Sequence, residues 1–253
     1  MNTLKFLLLL SIFSITIHAQ VNIEKYNKVN QSDGLFGNLS FYISAKTGNT
    51  DIQEFGVDGR INYHKDSFNS FLIALGDYGW NNGKEYSNNA LLHFRLIKET
   101  ETFISPEFFA QINYNKKQLL LFRSLIGVGV RAGLLSTENS NLTFGTAYMF
   151  EHEKLDLSPD NFHPSLTDHH RWSNYLSYTN SLTDNSTLSI IIYAQPRFDN
   201  FKDIRMLSEN HLSVGLNEKV SISVSLGLRY DSKPPDTVKD LDTYTKIGLS
   251  IKI

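Results

Sequence analysis

From Gly34 onward, apolar and polar residues alternate with a period of two, interrupted at intervals by clusters of Gly, Asn, Asp, Ser and Pro. That period marks β-strands with one apolar face. The cleanest run sets Val220, Ile222, Val224, Leu226, Leu228 and Tyr230 against Ser221, Ser223, Ser225, Gly227 and Arg229. Twelve such segments can be drawn, at 34–47, 53–64, 68–80, 87–98, 104–115, 119–134, 142–152, 171–181, 187–197, 204–216, 220–230 and 246–253. The third is apolar on both faces, so alternation does not fix its register, and the tenth is clear only at Leu212, Val214 and Leu216.

Short connections (65–67, 99–102, 135–141, 182–186, 217–219) alternate with a second set that includes the 81–83, 153–170 and 231–240 loops. Tight turns at one end and longer loops at the other predict an all-β fold, an antiparallel transmembrane β-barrel of the outer-membrane type. An even strand count then puts both termini on the periplasmic side. The final alternation, with Lys246, Gly248, Ile251 and Ile253 at its key places, resembles the closing strand that the barrel-assembly machinery recognises.

The arginines test this reading. Arg60, Arg95, Arg123, Arg131, Arg171, Arg197, Arg205 and Arg229 all fall on the face opposite the apolar set. An arginine facing lipid at midplane costs about 2–4 kcal/mol, so a barrel must turn it into the lumen. A soluble sandwich would share the alternation but would leave its first and last strands as bare edges.

Composition narrows the setting. Lys5, an apolar run from Phe6 to Ile17 and the His18-Ala19 junction read as a cleaved signal peptide at 1–19, followed by a polar periplasmic lead-in at 20–33 and one barrel domain at 34–253. No later stretch approaches the ~18–20 apolar residues of a spanning helix, so the membrane must be crossed by strands. The chain has no Cys, which excludes disulfides and thiolate metal sites, and its net charge of −2 argues against a nucleic-acid partner. The implied partners are outer-membrane lipid and the assembly machinery. No cofactor is called for.

Several stretches also resemble a known family: 20–26 (QVNIEKY), 34–50 (GLFGNLSFYISAKTGNT), 59–66 (GRINYHKD) and 228–253 (LRYDSKPPDTVKDLDTYTKIGLSIKI). They are similar to outer-membrane proteins of domain-of-unknown-function family 481, the YdiY-like "salt-induced" group. The resemblance implies a barrel fold, an outer-membrane location and a link to osmotic or acid stress. It implies no activity and no catalytic residues.

Candidate chemistry lies first in the lumen. The inward arginines, with Lys46, Lys246 and Lys252, meet Glu54, Asp58, Glu107, Glu151 and Glu209, and the cations outnumber the acids so placed. Either the charges pair and plug a narrow lumen, or their positive excess lines a narrow channel favouring small anions. The 153–170 loop, flanked by His152, holds Glu153, Asp156, Asp160, His163, Asp168, His169 and His170, donors for a divalent ion but without diagnostic spacing. A third reading places Ser124, His152 and Asn174 on the outer faces of consecutive strands, a nucleophile–base–orienter set of the kind a lipid hydrolase uses. The favoured expectation is a non-enzymatic envelope barrel with no metal site.

Overall fold

The computed structural model describes residues 33–46 and 51–252. The expected signal peptide, the lead-in up to residue 32 and Ile253 lie outside the described residues. Twelve strands follow one another: β1 (Gly34–Lys46), β2 (Ile52–Lys65), β3 (Phe68–Asn81), β4 (Lys84–Lys98), β5 (Ile104–Asn115), β6 (Leu120–Ser136), β7 (Ser140–Leu155), β8 (Leu166–Thr183), β9 (Ser186–Pro196), β10 (Ile204–Gly215), β11 (Val220–Asp231) and β12 (Leu241–Lys252). A single 3-10 turn at Lys116–Gln118 is the one helical element among the described residues.

Each strand pairs antiparallel with its sequence neighbours, and β1 pairs with β12 to close the barrel. Leu39 lies opposite Ile251 and Phe41 opposite Leu249 at that seam, and the inward hydroxyls of Ser40 and Ser250 meet at 2.7 Å. The seam pairs 38–41 with 249–252, which joins the first strand to the last and closes the ring, as strands surrounded by hydrocarbon require. The outer wall carries the apolar set: Val128, Leu226 and Ile126 are 55%, 49% and 49% exposed. No helix among the described residues is long and apolar enough to cross a membrane.

Two strands resolve registers that alternation leaves open. In β3, Asn69, Phe71, Ile73 and Asp77 are buried inward while Phe68, Leu72 and Trp80 face out. In β10, Arg205, Leu207, Glu209 and His211 point inward and Met206 outward. Other boundaries move. β7 runs to Leu155 and β8 begins at Leu166, so the expected 153–170 loop shrinks to 156–165, and β12 begins at Leu241 rather than Lys246. Ladder hydrogen bonds continue past the point where outward polar residues such as His152, Lys154 and Asp168 interrupt the apolar period. At the start of β6, Leu119 takes a left-handed φ of 55° and a register shift follows between Leu120 and Phe122. The shift turns Leu120 inward, 1% exposed, although by alternation it shares the parity of the outward Phe122, Ile126 and Val128.

Inward glycines give room to aromatic rings on the partner strand. Gly127 lies opposite Phe109, and Gly227 opposite Tyr244. At both positions an added Cβ would run into the ring, so these two residues are glycine because the ring lies flat on the backbone.

Candidate functional site

The lumen is filled in layers. Near the end with the longer loops lies an ionic layer built on β6, β7, β8, β10 and β11. Glu151 is its centre: its carboxylate takes Arg171 Nε at 3.1 Å and Arg205 Nη1 at 2.5 Å, with Arg123 Nε at 3.6 Å. Glu153, one inward position further along β7, pairs with Arg123 and meets Arg205 Nη2 at 3.3 Å. Arg205 Nε reaches Asp231 at 2.8 Å, and Arg171 Nη2 reaches Asp203 at 3.1 Å. These side chains are at most 9% exposed. Buried charges at this depth are tolerable only because each is matched and hydrogen-bonded.

Beneath it is an apolar waist. Phe71, Ile73, Leu91 and Ile97 from β3 and β4 meet Tyr175, Ile191, Tyr193 and Leu207 from β8, β9 and β10 in one buried cluster. β3 and β9 stand on opposite sides of the ring, so this cluster crosses the lumen. Phe109, Leu125, Ala147 and Met149 form a second cluster beside it. Embedded in the waist, Arg95 Nη1 contacts Glu107 Oε2 at 3.1 Å, and the Tyr175 hydroxyl donates to the same oxygen at 2.9 Å. Arg95 also lies 5.2 Å from the centres of both the Phe109 and Tyr175 rings. His93 Nδ1 donates to Gln111 Oε1 at 3.1 Å, and its ring is stacked on Phe71 and Phe109. Arg60 covers the Phe71 ring at 3.8 Å.

On the β8–β12 side the inward residues toward the tight-turn end are small hydroxyls, Ser177, Ser189, Ser223 and Ser250 among them, all under a tenth exposed. The void between His93, Arg95, Gln111 and Tyr193 measures about 20 Å³. Those beneath the 232–240 loop and beside Lys246 measure about 10 and 30 Å³. Spaces of this size hold no more than a few waters.

Two straps cover the mouth. Asp236, in the 232–240 loop, accepts the backbone N–H of Phe162 at 2.6 Å and of His163 at 3.4 Å, joining that loop to 156–165. Lys117, on the 3-10 turn, reaches inward to Glu54 at 3.4 Å, and burial holds its ammonium below the ordinary lysine range while Glu54 opposes that shift.

The predicted inward arginines Arg60, Arg95, Arg123, Arg131, Arg171 and Arg205 are buried, as are Glu54, Glu107, Glu151 and Glu209. Asp58 and Arg229 are half-buried on the same face. Arg197 sits just past β9 at the mouth, 21% exposed, held by Asp199 at 2.5 Å and Asp203 at 3.0 Å. Alternation missed the acids Glu153, Asp203 and Asp231, which had been assigned to loops. Glu153 shares the parity of Glu151, a signal that was available. With these acids counted, the expected positive excess in this layer disappears. In β12, Lys246 lies inward over the Tyr42 ring at 4.6 Å, Gly248 pairs with Ser223 and Ile251 faces out, 38% exposed.

The candidate chelating stretch is dispersed. Glu153 is in the ionic layer, His152, Asp168 and His170 lie on the outer wall, and His163 bonds the carbonyl of Pro164 at 2.8 Å. The outer set Ser124, His152 and Asn174 is also divided. Ser124 lies directly opposite His152, but Asn174 lies opposite Thr146 and accepts its hydroxyl at 2.8 Å. Thr146 in turn accepts the Trp172 indole N–H at 2.7 Å.

A family model described as "Protein of unknown function, DUF481" matches residues 39–253. No curated protein matches the chain. Among solved structures it is similar to the NanC porin, with a TM-score of 0.52 at 8% identity over 86% of this chain and 100% of that one. It is also similar to the KdgM porin in complex with disordered oligogalacturonate (TM-score 0.48, 8% identity, 87% and 99% covered). A third is the translocator domain of the autotransporter NalP from Neisseria meningitidis (0.47, 8%, 87% and 87%). The fold is that of outer-membrane barrels.

Proposed function

Because the chain belongs to the DUF481 family of proteins of unknown function, which brings no activity with it, we propose a function from the geometry: a closed barrel of the outer membrane that passes no solute and does no chemistry in its lumen. The tight-turn end and both termini face the periplasm, and β12 is the strand handed to the assembly machinery. Lipid is its main partner. A role under osmotic stress, as the YdiY-like resemblance implies, suits such a barrel, since it adds protein to the envelope without adding a leak.

The observation that supports this reading is the waist, where apolar side chains from opposite walls meet. An apolar barrier that excludes water is a high barrier to ions as well. The charges above it are bound to one another rather than displayed to a passing ion. The narrow anion channel is the second reading, and one residue favours it: among the described residues Arg229 forms one ion pair, to Asp231 at 3.6 Å, and it lines the void beneath the 232–240 loop. Planar-bilayer recording of purified, folded protein separates the two. Silence is expected. Small reproducible conductance steps with a reversal potential favouring chloride would overturn the closed reading.

A further inference from the structure

The outer wall near the loop end carries a row of three polar side chains on adjacent strands. Ser124 of β6 lies opposite His152 of β7, which lies opposite Asp168 of β8. His152 Nδ1 and Asp168 Oδ1 are 2.7 Å apart, which leaves Nε2 as the ring's free nitrogen. Directly opposed residues in a sheet hold their Cβ atoms about 4.5–5.5 Å apart, so one rotation about the serine's χ1 governs whether its hydroxyl reaches the ring.

Ser124 differs from the other polar groups of this wall. Thr146, Asn174 and Trp172 bond one another, and Tyr148 bonds His170 at 2.5 Å. Among the described residues, no hydrogen bond is made by the Ser124 side chain. Phe122 flanks His152 at 6.5 Å between ring centres, and Lys154, exposed, is the next outward residue along β7. Below the row, Tyr148 and Trp172 stand where aromatic residues mark the headgroup boundary, and Ile126 and Val128 continue into the apolar band. A phospholipid in the outer wall's lipid shell would present its ester bonds at this height and its acyl chains to the apolar band.

We propose that Ser124, His152 and Asp168 form a surface site that hydrolyses acyl esters of membrane lipids. Ser124 Oγ attacks the ester carbonyl carbon while His152 Nε2 takes its proton. The C–O bond to the glycerol oxygen breaks, and that oxygen leaves with the proton from His152. Water, activated by the same nitrogen, then attacks the acyl-serine and releases a fatty acid, so one ester and one water yield one acid and one alcohol. Asp168 positions the imidazole. The candidate of the sequence reading thus changes its third member: Asp168 takes the place of Asn174.

The test uses full-length protein in vesicles of phosphatidylethanolamine and phosphatidylglycerol. It reads fatty-acid release by mass spectrometry, and labelling by a fluorophosphonate mapped to peptide. Labelling at Ser124 is expected, with release falling about a hundredfold or more in Ser124→Ala and His152→Ala. Asp168→Asn should lower kcat with KM held, Asp168→Glu should restore part of it, and Asn174→Ala should leave both readouts unchanged. Heat-modifiable gel mobility checks that each variant is folded. Folded wild type that is unlabelled and releases no more fatty acid than Ser124→Ala overturns the proposal, leaving the row as a polar rim facing headgroups. Conductance and hydrolysis are read separately, so this site and the closed lumen fail independently.

Discussion

The ionic layer and the apolar waist close the same lumen by opposite means. In the layer, Glu151 and Glu153 gather Arg123, Arg171 and Arg205, and each charge is tolerable only because the others are present. In the waist, Ile191 at 0%, Phe71 at 2% and Leu207 at 3% exposure need nothing from their neighbours but contact. The layer is specific and brittle; the waist is forgiving and contributes directly through the area it removes from water. Placing the brittle part under the mouth and the forgiving part at mid-depth means that water entering from the loop end meets bound charge first and hydrocarbon next.

Removing the hub of the layer is expected to cost most. Glu151→Ala takes one carboxylate from Arg123, Arg171 and Arg205 at once and leaves Glu153, Asp203 and Asp231 to match them in a buried site, and breaking such a network costs about 3–5 kcal/mol. Urea unfolding in lipid vesicles should show the loss as a lower midpoint at an unchanged slope. A midpoint within error of wild type would mean that the layer is hydrated and the charges are not desolvated. In the waist, Ile191→Ala removes a side chain that is 0% exposed, and truncations of this type cost about 2–5 kcal/mol. Here the lower part of the range is expected, because Leu207 and the other aliphatic members of its cluster can relax toward the space. A loss exceeding that of Glu151→Ala would invert the comparison.

Sequence showed the two regions unequally, for a physical reason. A charge can face lipid only at heavy cost, so parity alone sends Arg60, Arg95, Arg123, Arg131 and Arg171 inward, and they are buried. An apolar residue is permitted on either face. Ile73, Leu125, Met149 and Leu207 therefore break no rule by pointing inward, and nothing in the alternation announces that they meet. β3 was the visible hint, since apolar residues on both faces are what a strand shows when lipid covers one side and a packed lumen the other. The acids Asp203 and Asp231 were hidden differently, by lying at strand ends where alternation gives way to turn chemistry. On the outer wall, Ser124 and His152 were found by parity, but Asp168 was taken for loop because β8 begins earlier than its apolar period does. Pairing of Asp168 with His152 is a matter of cross-strand register, which a single chain does not display.

The smallest effect is expected where the two regions interpenetrate. Arg95 and Glu107 form an ion pair inside the waist, with Phe109 and Tyr175 around the guanidinium and side-chain exposures of 2% and 0%. A pair held this deep gains strong attraction but loses two hydration shells, and replacing both partners by apolar residues of similar volume is often neutral or better. Glu107→Leu alone removes the carboxylate that meets the buried guanidinium and should destabilise by about 3–5 kcal/mol. Adding Arg95→Met to it should recover most of that, leaving the double variant within about 1 kcal/mol of wild type, offset from zero by the Tyr175 hydroxyl that loses its acceptor. A double-mutant cycle in vesicles measures the coupling. If the double variant falls as far as the single one, the pair contributes net stability to the waist, and the division between a brittle layer and a forgiving waist does not hold at this depth.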